Sequence, residues 1–106
     1  MNGSIGFTGI KEWPQGERPR ERCFEKGCDV LSTHELLAIL FRTGKKGVTA
    51  IDLSRSLLKE TGSLRAIAQK SPKELSSICG IGVVRAVTLS AALELSRRFV
   101  LESVKE

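Results

Sequence analysis

The sequence has no tyrosine, a single tryptophan and a single histidine, and aromatic residues make up only 5% of its 106 residues. Without aromatics to fill it, a core must be assembled from Leu, Ile, Val and Ala, a mix that favours helices over a sheet. No stretch approaches the ~18 consecutive apolar residues that a membrane span requires. The first ten residues are glycine-rich and lack the apolar segment of a secretory signal. Three cysteines cannot all pair within one chain, and together with the missing signal they point to a reducing cytoplasm.

What is present suffices for one compact domain. Hydrophobic residues make up 41%, and a chain of this size buries roughly two-thirds of its unfolded surface. The formal charge is +5, a mild basic excess of the kind a polyanion binder carries. Its placement says more than its size. Arg42, Lys45, Lys46, Arg55 and Lys59 face one acid, Asp52, in the same stretch, whereas residues 27–41 are net negative.

Residues 1–17 contain Gly3, Gly6, Gly9, Pro14 and Gly16 and are expected to form an irregular arm, pinned to the body by Trp13. Residues 18–106 are expected to form the domain proper. Pro19 suits the first turn of a short helix ending at Gly27. Ser32-Thr33-His34-Glu35 has the pattern of a capping box ahead of the apolar run 36–41, with Gly44 as the stop. Thr49 is the next expected N-cap, and Ala50, Leu53, Ser54 and Leu57 share one face of the helix that follows. Gly62 would end that helix, and Ser63 would cap a short connector carrying Leu64 and Ile67. Ser71-Pro72-Lys73-Glu74 combines an N-cap, a proline at the first helical position and a glutamate at the third. A last helix runs from Val83 to about Val100, with Ala86, Leu89 and Leu93 beside Val87, Ala91 and Leu95 forming a wide apolar stripe. No strand-like alternation occurs. The expected architecture is all-α, with about five helices arranged as two helical hairpins. One spans 32–61 and is degenerate; the other spans 72–100, and the connector joins them.

Ile78-Cys79-Gly80-Ile81-Gly82-Val83-Val84-Arg85-Ala86 is the most informative stretch. Two glycines permit a very tight turn between helices, and Ile81 can tuck inward between them. The amides of Gly82, Val83 and Val84 open the final helix, lack intrahelical acceptors and sit at its positive pole. Such a place binds an anion, a phosphate above all. Arg85, in the first turn, can add a charged contact, and the small Ala86 lets the helices pack closely. Gly80, Ile81, Gly82, Val83, Val84 and Arg85 are therefore the candidate phosphate-binding residues. The basic loop carrying Arg42, Lys45 and Lys46 within Thr43-Gly44-Lys45-Lys46-Gly47 is a candidate secondary contact, although its glycine spacing is not that of a nucleotide-binding P-loop.

The 78–86 segment resembles the helix-hairpin-helix pattern of apolar, any, Gly, apolar, Gly, two of any, basic, Ala. That resemblance implies sequence-independent contact with the phosphates of a DNA strand. It also implies a monovalent cation held by hairpin carbonyls, here those of Ser76, Ile78 and Ile81. A wider set of segments resembles the amino-terminal domain of the bacterial RadC family. They are Ile10-Lys11-Glu12-Trp13-Pro14, Glu17-Arg18-Pro19-Arg20-Glu21, Leu31-Ser32, Glu35-Leu36-Leu37-Ala38-Ile39-Leu40, Arg42-Thr43-Gly44, the hairpin itself, and Ala91-Ala92-Leu93-Glu94-Leu95 with Arg97-Arg98. Cys23-Phe24 stands where the family has two leucines, Val83 replaces a proline and Arg85 a lysine. Arginine keeps the charge but changes the geometry of the donor fork. The resemblance implies a DNA-repair association and a following metalloprotease-like domain of the JAMM type, whose zinc needs a His-x-His pair and an Asp. With His34 alone, this chain is expected to be a fragment or truncated member without catalysis of its own.

Several residues have plainer uses. His34 is expected to be a partly exposed surface residue. The gap between Cys23 and Cys28 would suit zinc, but Cys79 and His34 lack matching ligand spacing, so no zinc set is expected, and Cys79 is expected to be a partly exposed thiol. Arg18, Arg20 and Arg22 alternate with Glu17 and Glu21 as in an ion-paired surface helix. Arg97 and Arg98 are expected at the carbonyl end of the last helix or leading into the next domain. Two functions fit: a nucleic-acid backbone-binding module, and a protein-interaction module that docks the family's JAMM-type domain or another subunit.

Overall fold

A computed structural model of the chain describes residues 18–105; the expected arm at 1–17, with Trp13, lies outside them. Six α-helices follow one another: α1 Arg18–Lys26, α2 Thr33–Phe41, α3 Ala50–Thr61, α4 Leu64–Ala68, α5 Pro72–Ser76 and α6 Gly82–Lys105. A short 3-10 helix, Cys28–Val30, lies between α1 and α2. No strand is present among the described residues, and the expected all-α class holds. None of their helices is long and apolar enough to cross a membrane.

The capping chemistry written in the sequence sets most of the boundaries. Ser32 accepts from the Glu35 amide, and the Glu35 carboxylate accepts from the Ser32 amide at 2.9 Å. Ser71 and Glu74 repeat the arrangement at 2.8 Å, with Pro72 in the first turn. Thr49 and Ser63 cap α3 and α4. Each such cap is worth about 1 kcal/mol. Gly27 and Gly62 terminate α1 and α3 at φ 91° and 97°.

Both capping glutamates have carboxyls held below the ordinary value of 4.5, chiefly by the backbone amide each accepts from. A group depressed in this way adds stability that is fully present above 4.5 and is lost as pH falls through the lowered folded values. The expected result is a urea midpoint that declines on acidification below about pH 4.5, and a Glu35→Gln, Glu74→Gln double variant in which that decline is shallower. An unchanged slope in the variant would show that the boxes are not linked to protonation.

The core is one apolar cluster, aliphatic apart from Phe41. It takes Leu37, Ala38 and Phe41 from α2, Ala50, Leu53 and Leu57 from α3, Ile67 from α4, Leu75 from α5, and Ile81, Ala86 and Leu89 from the last turn and α6. Helix α2 packs on α3 and α6, α5 packs on α6, and α4 packs on α3. The two expected hairpins thus share one core. Ser54 is the buried polar member, and its hydroxyl donates to the Ala50 carbonyl at 2.8 Å.

Four expectations need correction. Helix α2 ends at Phe41, and its stop is Arg42 rather than Gly44: Arg42 takes the C-cap at φ 67° and donates its amide to the Ala38 and Ile39 carbonyls. The stripe on α6 is only half buried, because Val87 and Leu95 face outward while Leu89 enters the core. Arg22 pairs with Glu35 of α2 at 2.6 Å, and so ties α1 across to its neighbour. Arg97 and Arg98 both pair with Glu94 on their own helix instead of meeting its carbonyl end, and hold that carboxyl at about 2. In addition, Cys23 and Cys28 form a disulfide that staples α1 to the 3-10 helix, leaving Cys79 as an exposed free thiol. In a reducing compartment that pair would persist as two thiols.

Candidate functional site

The turn between α5 and α6 is built on two residues with positive φ, Gly80 at 87° and Gly82 at 70°, a backbone state that side-chain-bearing residues adopt only at a cost. Ile81, between them, is buried against the core and anchors the turn, as its place in the sequence suggested. A methyl group on Gly80 would also lie 2.8 Å from Cδ1 of Leu53 on α3, so that side-chain end would have to shift.

The helix that starts here is the longest in the fold, with 24 residues. Its opening amides, those of Gly82, Val83 and Val84, make none of the backbone hydrogen bonds found in the loops and caps. Val83 and Val84 are 69% and 78% exposed, and nothing lies within 4 Å of the position a side chain would take on Gly82. Three adjacent donors thus stand at the positive end of a long helix, on exposed residues and without a backbone acceptor.

The basic loop joins this turn. Its short connection is closed by reciprocal backbone bonds between Lys45 and Val48, both 2.9 Å, and turns at Gly47 with φ 81°. The Lys45 ammonium comes to 3.6 Å from where a methyl on Gly80 would sit. Two candidate sites some 35 residues apart in the chain thus become one surface, with exposed Arg42 and Lys46 on the same loop.

Arg85 is placed differently from its expected role. Its guanidinium turns inward. Nη2 donates to the Thr43 carbonyl at 3.1 Å and to the Gly44 carbonyl at 2.8 Å; Nη1 donates to those of Gly80 at 3.4 Å and Ile81 at 3.3 Å. Its Nε is buried with no partner. The residue ties the basic loop to the hairpin turn instead of projecting toward solvent. The Ile81 carbonyl it meets is one of the three oxygens suggested for a monovalent cation, and a second of them, on Ile78, accepts the Ile81 amide at 3.0 Å. The hairpin pattern marks a basic residue at position 85 but carries no information on which way its side chain turns.

Comparison with known proteins places these features in a family. The model of the UPF0758 N-terminal domain matches residues 10–87, ending just past the hairpin. The UPF0758 protein of Alcanivorax borkumensis is 47% identical over 96 residues, which is 91% of this chain and 43% of that protein. That of Shewanella loihica is 48% identical over 96 residues, and that of Geobacter sulfurreducens 48% over 92. The chain spans less than half the length of the curated relatives it matches. No solved structure matches. With more than half of its length matched by the family model, the chain belongs to the UPF0758 family, which is the RadC family, and corresponds to its amino-terminal domain.

Proposed function

We propose that this domain is a non-sequence-specific nucleic-acid module that grips the phosphate backbone. The observation that carries this is that the Lys45 ammonium lies beside Gly80 in the turn that leads into the amides at 82–84, which have no backbone acceptor. Backbone amides at a helix start accept a phosphate oxygen whatever the base sequence, and the lysines add charge without base readout. The roles divide by position. Gly82, Val83 and Val84 supply amides, Gly80 and Ile81 shape the turn, Lys45, Lys46 and Arg42 supply charge, and Arg85 holds the two loops together. The domain itself performs no reaction, works in the cytoplasm and serves the DNA-repair association implied by the family resemblance.

Two to four phosphate contacts predict weak affinity, in the range of about 10⁻⁴ to 10⁻⁶ M, and a log–log salt slope of roughly −2 to −4. The test is fluorescence anisotropy with labelled duplex and single-stranded oligonucleotides across a chloride series. A Lys45→Glu, Lys46→Glu variant, verified as folded by circular dichroism, is expected to bind at least about tenfold more weakly with a slope shallower by about 2. A wild-type protein with no salt-dependent binding would refute the proposal.

A second use, docking of the JAMM-type domain or another subunit, is favoured by a different region. The far part of α6 exposes Leu95, Phe99, Val100 and Leu101 by half or more. A groove of about 590 Å³ between the 68–72 segment and α6 has Pro72, Val87, Ala91 and Leu93 in its lining, with Lys70, Glu94 and Arg97 alongside. Exposed apolar surface of this kind marks interaction sites. The exposed residues from Leu95 to Leu101 lie about three turns or more along α6 from the hairpin amides, so both uses are compatible.

A further inference from the structure

We infer that the Arg85 guanidinium is a built-in cation for the hairpin, so that the candidate phosphate site assembles without any bound alkali metal. The geometry is that of a charge ringed by carbonyl oxygens. Those of Thr43, Gly44, Gly80 and Ile81 all lie within 3.4 Å of its two terminal nitrogens. Both terminal nitrogens have their two donors directed at protein oxygens, and the Nε is enclosed. The one donor left over, on Nε, is buried, so Arg85 presents none to a phosphate at the surface. A metal ion on the Ile81 carbonyl would have to share that oxygen with the guanidinium and sit in its like-charge field. The guanidinium also does what a metal on hairpin oxygens alone would not. It reaches carbonyls 41 and 42 residues away and thereby fixes the loop that carries Lys45 against the turn. Arginine suits this better than lysine, because a planar fork can serve two pairs of oxygens at once and never loses its charge. Arg85 is thus a positioning residue. The inference depends on the nucleic-acid proposal for its functional readout but not for its geometry.

The test uses the intact chain in lithium, sodium, potassium and N-methylglucamine chlorides at one ionic strength, reading the melting temperature of the free protein and the affinity for a labelled duplex. For the wild type, melting temperatures are expected to agree within about 2 °C and affinities within about twofold, since a metal the folded chain does not bind gives no mass-action stabilisation. Arg85→Ala leaves the four carbonyls without their partner. It is expected to melt lower, to recover by about 3 °C or more in sodium or potassium relative to N-methylglucamine, and to bind duplex more tightly in the metal salts. Arg85→Lys keeps the charge and loses the fork. It is expected to remain indifferent to the cation while binding duplex roughly two- to fivefold more weakly, as the loop loosens. A wild-type melting temperature or affinity that tracks the alkali metal would overturn the inference, as would an Arg85→Ala protein that matches wild type in every salt. If Arg85→Ala does not fold, the wild-type and Arg85→Lys series decide. Should the wild type bind no duplex in any salt, the nucleic-acid proposal falls while the melting temperatures still settle the role of Arg85.

Discussion

Replacing Gly44 with alanine is expected to lower the melting temperature by about 10–20 °C, corresponding to a loss of roughly 3 kcal/mol in a domain of this size. The cause is not backbone strain, which plays no part at this position. A β-carbon on Gly44 would collide with the Val48 carbonyl, and would lie 2.6 Å from the Thr49 carbonyl carbon and 2.8 Å from the Ala50 nitrogen. All three are main-chain atoms, so no side chain can swing aside. Relief requires the loop to open. Opening would break the paired bonds between Lys45 and Val48, pull Thr49 from the start of α3 and carry the Gly44 carbonyl away from Arg85. Gly47→Ala is the matched control. It has φ 81° but nothing within 4 Å, so it should cost only the roughly 1–2 kcal/mol of the left-handed backbone state. Thermal melts followed by far-ultraviolet circular dichroism distinguish the two. A Gly44→Ala protein melting within about 3 °C of wild type would mean that the loop does not make this close approach.

Gly82→Glu should have the largest effect on binding. The space at this position is open, so the fold has only the strain at φ 70° to absorb, about 1–2 kcal/mol. The new carboxylate would stand in front of the three amides. At a separation of about 5 Å and an effective dielectric constant of about 20–40, repulsion from a phosphate amounts to roughly 1.5–3 kcal/mol, or about ten- to hundredfold in the dissociation constant. Gly82→Ala carries the same strain without the charge and is expected to lose only a few-fold in affinity. Anisotropy titrations of the folded variants provide the comparison. If the glutamate variant binds duplex as tightly as the alanine variant, the amides are not where the phosphate sits.

Local signals are legible in the sequence, and signals that depend on distant contacts are not. Ser32 with Glu35, Thr49, Ser63, and Ser71 with Pro72 and Glu74 each mark a helix start by chemistry completed within four residues, and each stands where it was expected. The buried positions of Leu53, Leu57, Ile81, Ala86 and Leu89 follow from helical spacing and the hairpin pattern in the same way. A glycine after an apolar helix reads as a stop, which Gly44 is not. Here its lack of a side chain serves an approach to residues 48–50 instead, and Arg42 takes the positive φ. The outward-facing half of the α6 stripe has ordinary apolar spacing, and only the absence of a neighbour on that side shows that it is exposed. The meeting of Lys45 with Gly80, and the carbonyls at 43 and 44 that Arg85 seeks, span the whole middle of the chain; nothing periodic announces them. Nor does the sequence alone show that Cys23 and Cys28 approach closely enough to bond, because that depends on how the chain turns at Gly27.

The length of α6 has a geometric consequence. At about 1.5 Å of rise per residue, its free amides and Phe99 are separated by roughly 25 Å along a single uninterrupted rod. A body resting on the distal end of that rod would be held at a set spacing and azimuth from any strand gripped at the proximal end. The helix would then act as a molecular ruler, in which inserting or deleting one residue between the two ends rotates one cargo about 100° relative to the other.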